Sequence, residues 1–177
     1  MTENPPLQRE FDLGRLSEAG AEIVLAPTEE ERAVLAQWAD LCSVEAFKAT
    51  VELRRKTLSS FHYEARIEAD ITQNCVVTLE PVASHLDKTF SRELHLTQTT
   101  RHAALEGEPL APGMGDDDAP EEIDSPRYDV AAPVLEEFSL AIDPYPRAPG
   151  AAFESAPEAQ AEADNPFAVL KRLKTGI

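Results

Sequence analysis

Cysteine is nearly absent: Cys42 and Cys75 are the only two in 177 residues. A structural zinc site needs four clustered ligands, usually in close pairs, and neither the cysteines nor the scattered His62, His85, His95 and His102 supply that spacing. With no export signal visible before Glu10, both thiols are expected reduced and packed in the core. Long apolar runs are also missing, and nowhere does one approach the roughly 18 residues of a membrane-spanning helix. These two absences lead to the expectation of a soluble cytoplasmic chain. Positive charge is scarce as well, with 16 Lys and Arg against 33 Asp and Glu and a formal net charge of −17. Such a surface repels phosphate backbones, which argues against a membrane-surface or DNA partner and against wrapping of a long duplex. Part of the excess is local, because Glu106, Glu108, Asp116, Asp117, Asp118, Glu121, Glu122 and Asp124 fall in one stretch without Lys or Arg.

Catalytic patterns are missing too. No glycine-rich loop follows an expected strand, no phosphate-binding lysine motif occurs, and no serine sits in a nucleophile elbow. Cys75 is the single nucleophile worth naming, with His85 the nearest histidine along the chain. A small apolar side chain packed in a sheet is the ordinary role for such a cysteine.

What is present is periodicity. Residues 1–10 form a loose start, and a single domain is expected over 11–147. Phe11, Leu13 and Leu16 suggest a short anchored strand or turn, and Ile23, Val24 and Leu25 a second strand ended by Pro27. Thr28-Glu29-Glu30-Glu31 reads as a capping box. It opens a helix expected to run to Cys42, with Val34, Leu35, Trp38, Leu41 and Cys42 on its buried stripe and Arg32 in water. From residue 46 the period becomes two. Phe47, Ala49, Val51 and Leu53 form one buried set, and Phe61, Tyr63, Ala65, Ile67, Ala69 and Ile71 another. A third strand follows from Val82 to about Thr97, where Lys88 and Arg92 share parity with Leu86, Phe90 and Leu94 and therefore predict a bend or bulge.

Periodicity fades over 98–127, which predicts a long mobile acidic loop. Asp129 is the expected N-cap of a second helix, with Pro133 in its first turn and Val130, Val134, Leu135, Phe138, Ala141 and Ile142 on its apolar face. The Pro-rich run from Asp143 to Gly150 stops this helix and is expected to lead the chain away through a linker at 148–164. Residues 165–177 then form a short C-terminal helical motif. Its apolar anchors Phe167, Leu170 and Leu173 sit beside the basic Lys171, Arg172 and Lys174, a candidate partner-binding set. The fold class is α+β: an antiparallel sheet packed with two main helices, plus the long acidic loop and the short terminal helix.

Three segments carry a resemblance. Gln73 to Val82, including Cys75, Thr78, Leu79, Glu80 and Pro81, resembles the central signature of the YceD/DUF177 family in its alphaproteobacterial form. Glu136 to Arg147, with Pro144, Pro146 and Arg147, is similar to that family's second block, and Asn165-Pro166-Phe167 onward to its terminal motif. The likeness extends from about Phe11 to Lys174. It implies a non-enzymatic protein, without cofactor, that supports accumulation of large-subunit ribosomal RNA. Some relatives carry a metal-binding-like cysteine cluster near the C-terminal block, and this chain has no cysteine after Cys75. With a charge of −17, the expected partner is a ribosomal protein or a ribosome-assembly factor. The alternatives are direct ribosomal RNA contact through Arg54-Arg55-Lys56 and Lys171-Arg172-Lys174, or a general protein-interaction module.

Overall fold

The computed structural model describes residues 5–97 and 120–152. The chain runs β1 (Glu10–Asp12), a 3-10 turn (Leu13–Arg15), β2 (Ala21–Leu25), α1 (Glu29–Trp38), β3 (Ser43–Arg55), β4 (Ser60–Asn74), β5 (Pro81–Leu96), β6 (Glu121–Ile123), β7 (Arg127–Asp129) and α2 (Ala132–Ala141). Five strands form one sheet in the order β2-β3-β4-β5-β6, and β1 and β7 form a two-stranded antiparallel ribbon. The α+β class and two main helices are as expected. The sheet is mixed, however, because β6 runs parallel to β5 along Leu94–Leu96. A parallel neighbour needs a crossover of a dozen or more residues, and the stretch 97–120 has the length for one. Glu121 to Arg127, placed by the sequence in the acidic loop, is therefore ordered, while 98–119 lies outside the described residues.

Alternation dictates the core. Phe47, Ala49, Val51 and Leu53 of β3 and Phe61, Tyr63, Ala65, Ile67, Ala69 and Ile71 of β4 are all buried. Phe138 of α2 stacks edge-on against Phe47 at 5.2 Å, and the Tyr63 hydroxyl donates to the Val130 carbonyl at 2.8 Å. Both helices add to this one cluster, Leu35 and Ala36 from α1 and Val134, Leu135 and Phe138 from α2.

Four local expectations need correction. The capping box is formed, with Glu31 N–H donating to Thr28 Oγ1 and Thr28 N–H to Glu31 Oε2. Yet α1 stops at Trp38, because Asp40 adopts φ 55° and the Leu41 N–H donates back to the Ala36 carbonyl. That is a Schellman stop with aspartate at the left-handed position, a residue less diagnostic there than glycine. Within α1 Leu35 and Ala36 face the core, while Val34 and Trp38 lie exposed, as does Cys42 beyond the stop, and Arg32 is half-buried, its Nη1 donating to the Pro27 carbonyl. Second, β5 pairs with β4 without a break from Pro81 to His95. Lys88 stays straight because its position is open to solvent, and Arg92 because Glu121, Glu136 and Glu137 surround its guanidinium. Third, Asp129 ends β7 instead of capping α2. Its Oδ1 accepts from Arg9 N–H and Ala131 N–H, Ala131 takes the cap position, and Pro133 falls in the first turn. Fourth, the Pro-rich run after α2 does not leave the domain; it returns to the β4–β5 turn.

Candidate functional site

The β4–β5 turn, Cys75 to Glu80, is built around a sulfur atom. Cys75 N–H donates to the Glu80 carbonyl at 2.8 Å and Leu79 N–H to the Cys75 carbonyl at 2.9 Å, which closes the loop. The Sγ then accepts from Val77 N–H and Thr78 N–H, both at 3.4 Å. A third donor arrives from far along the chain, Ala148 N–H at 3.3 Å. Beside it Val76 N–H donates to the Pro146 carbonyl at 2.9 Å, and Gln73 Nε2 to the Asp143 carbonyl at 2.9 Å. Asp143 Oδ1 in turn accepts from Tyr145 N–H. Residues that precede proline are pushed to extended geometry, so Pro144 and Pro146 preset Asp143 and Tyr145 for this docking. Two signature segments some seventy positions apart thus form one junction, with Ala148, the first residue of the expected linker, inside it.

Electrostatics at the sulfur favour the thiolate. Cys75 has no solvent exposure, and burial alone raises a thiol pKa. The Ala148 N–H, followed by Thr78 and Val77, outweighs that effect and lowers it from 9.0 to about 6. The rest of the junction presents apolar groups to water: Leu79 is 75% exposed, Tyr145 71% and Val76 45%. Leu79 also sits at φ 62°, a left-handed geometry that costs a non-glycine residue roughly 1–2 kcal/mol. Pro146 is buried, whereas Pro144, Arg147, Thr78, Glu80 and Pro81 are exposed.

The sulfur does not fit a metal. Its acceptor directions are taken by three backbone N–H groups, and no cluster of three or more His, Cys, Asp or Glu occurs among the described residues. Nor is it paired with His85, whose Nδ1 lies 2.7 Å from Asp70 Oδ1; this hydrogen bond raises the imidazole pKa. The expected core thiol pair is half right, for Cys75 is buried and Cys42 exposed.

The Arg54-Arg55-Lys56 patch is dispersed. Arg54 pairs with Glu52 at 2.7 Å, and Lys56 with Glu93 at 2.6 Å. Arg55 turns inward, with Nη2 donating to the Leu13 carbonyl at 2.9 Å and the guanidinium stacked over Phe61. Across the solvent face of the sheet, Glu22, Glu52 and Glu64 stand opposite one another in a single row. Among the described residues this face is unsuited to a phosphate backbone. Asn165, Pro166, Phe167, Leu170, Lys171, Arg172, Leu173 and Lys174 lie outside the described residues. Sequence reading missed Val76, Tyr145 and Ala148 as parts of the site. The tyrosine between Pro144 and Pro146 was the available signal, since an aromatic in so stiff a segment cannot easily fold inward.

Fold and site together define an α+β domain whose distinguishing feature is a sulfur-centred junction of two distant segments. The chain belongs to the YceD family: the model described as large ribosomal RNA subunit accumulation protein YceD matches residues 63–174, more than half of its length. Membership assigns it in general terms to ribosome biogenesis. The match begins within β4, so it includes the junction and the terminal motif but not β1 to β3 or α1. No curated protein and no solved structure matches the chain. No helix among the described residues is long and apolar enough to cross a membrane.

Proposed function

We propose that this chain, a family member of alphaproteobacterial type, is a non-enzymatic cytoplasmic factor that supports accumulation of large-subunit ribosomal RNA through protein–protein contacts. The partner class is a basic ribosomal protein or an assembly factor. The observation that carries this reading is the junction itself. It holds Val76, Leu79 and Tyr145 toward solvent on a body of net charge −17, which suits a protein partner with apolar and basic groups better than RNA. The terminal anchors Phe167, Leu170 and Leu173, with Lys171, Arg172 and Lys174, complete the proposed contact set, and no cofactor is needed. Direct RNA contact loses support because Arg54, Arg55 and Lys56 are engaged within the fold.

Capture of the tagged chain from cells, with and without RNase, separates the two modes. Large-subunit proteins or assembly factors retained after RNase support protein contacts. Loss of all ribosomal material on RNase treatment contradicts them. Depletion of the chain should lower large-subunit ribosomal RNA, and unchanged levels would remove the role.

A further inference from the structure

We infer that the open edge of β5 pairs with the same edge of a second copy of this chain, antiparallel and with the two-fold axis at Leu86. β6 covers β5 only at Leu94–Leu96, so from Pro81 to Glu93 the strand has a neighbour on one side alone among the described residues. Two bonds at the end of β5 show which backbone groups this leaves open. Leu96 N–H donates to the Ser59 carbonyl, on the β4 side, and Thr97 N–H to the Ile123 carbonyl, on the β6 side. The register with β4 is unbroken, so even positions bond β4 while Ala83, His85, Asp87, Thr89 and Ser91 turn N–H and C=O outward. Pro81 shares their parity, and its missing N–H takes nothing from the β4 ladder, which is where a sheet tolerates proline. A long edge with unpaired backbone groups is a template for a further strand.

The side chains select the occupant. Two copies keep their sheet faces aligned only when residues of equal parity pair. With the axis at Leu86, His85 of each copy stands opposite Asp87 of the other on the solvent face. On the core-facing side Leu86 meets Leu86 and Val82 meets Phe90, all half-buried in the single chain. His85 spends Nδ1 on Asp70, and its Nε2 has no partner among the described residues. An axis at Asp87 or at Lys88 would instead set like charges against each other. Asp87 and Lys88 cancel within Pro81–Ser91, and the row of Glu22, Glu52 and Glu64 reaches β5 at the neutral Ser91. The edge is thus balanced on a chain of net charge −17. Pairing over Pro81–Ser91 also stops short of β6. This contact goes beyond the ribosomal reading and does not depend on it.

Sedimentation of the purified full chain at high salt, which screens repulsion between the two acidic bodies, should show monomer giving way to dimer by about 100 μM. Thr89→Pro removes an outward N–H, leaves the β4 ladder intact, and should weaken the dimer by about 10-fold or more. The register is read separately by cross-linking in a Cys42→Ser background, since Cys42 is exposed. Leu86→Cys sets two thiols in a directly opposed pair that lacks hydrogen bonds, with about 4.5 Å between Cα atoms, within disulfide reach. The Lys88→Cys thiols would stand about 13 Å apart along the strands. Oxidation with copper–phenanthroline should therefore cross-link Leu86→Cys on the order of 10-fold faster than Lys88→Cys. A chain that stays monomeric at about 100 μM overturns the pairing. Equal cross-linking of the two cysteine variants overturns it as well, whether or not Thr89→Pro folds.

Discussion

The β3–β4 and β4–β5 hairpins share a strand and turn in different ways. Between Arg55 and Ser60 the first is mostly a local affair: Lys56 and Thr57 N–H groups donate to the Ser60 carbonyl, and Thr57 Oγ1 accepts from Ser59 and Ser60. Its Leu58 is 90% exposed, and its one long-range backbone bond runs from Leu96 N–H to the Ser59 carbonyl. The second turn is organised by a buried side-chain sulfur and by a segment some seventy residues away, and it holds a leucine at φ 62°. Only the second falls within the family match. One turn links two strands, whereas the other also gathers the signature segments. Backbone strain of this kind clusters at functional sites, where the surrounding structure holds it in place.

Removing the helix that delivers the second segment should break this contrast most severely. Phe138→Ala empties a fully buried site against Phe47, with an expected loss of about 3–5 kcal/mol in denaturant unfolding. Cys75→Ala strikes the junction alone. Three N–H groups lose their acceptor, and the melting temperature should fall by roughly 5 °C. That loss should depend on pH. With the folded thiol at about 6 and the unfolded one near 9.0, the unfolded chain binds more protons between those values, so stability rises with pH across the window. Below pH 6 that contribution is gone. Melting curves at pH 6, 7.5 and 9 should therefore separate native protein from Cys75→Ala progressively, and parallel curves would remove the thiolate. Leu79→Gly relieves the left-handed strain but loosens the unfolded chain, so a gain or loss within about 1 kcal/mol is expected. Leu58→Asp, in the local turn, should shift stability by less than about 0.5 kcal/mol.

Much of this fold is legible in the sequence because alternation reports burial directly. The inward residues of β3 and β4 all follow their parity, and Thr28 with Glu31 announces the capping box. Failures occur where the deciding partner is remote or the local residue atypical. Asp40 stops α1 in a geometry usually given to glycine, and Trp38, in the last turn, is exposed while Leu35 and Ala36 take the core-facing side. Arg92 reads as a strand breaker until Glu121, Glu136 and Glu137 close around it from other elements. The site was legible as two motifs and not as one object. Nothing in Cys75 or Ala148 taken singly shows that a backbone N–H of one meets the sulfur of the other.

We propose that the junction, and not the neighbouring turn, carries the contact that sustains large-subunit ribosomal RNA. Cells lacking the native chain can be supplied with L79D/Y145D, with L58D or with native protein at equal abundance, and their large-subunit ribosomal RNA quantified. The native level is expected with L58D and the depleted level with L79D/Y145D, both variants remaining folded. Equal support from the two variants would contradict it.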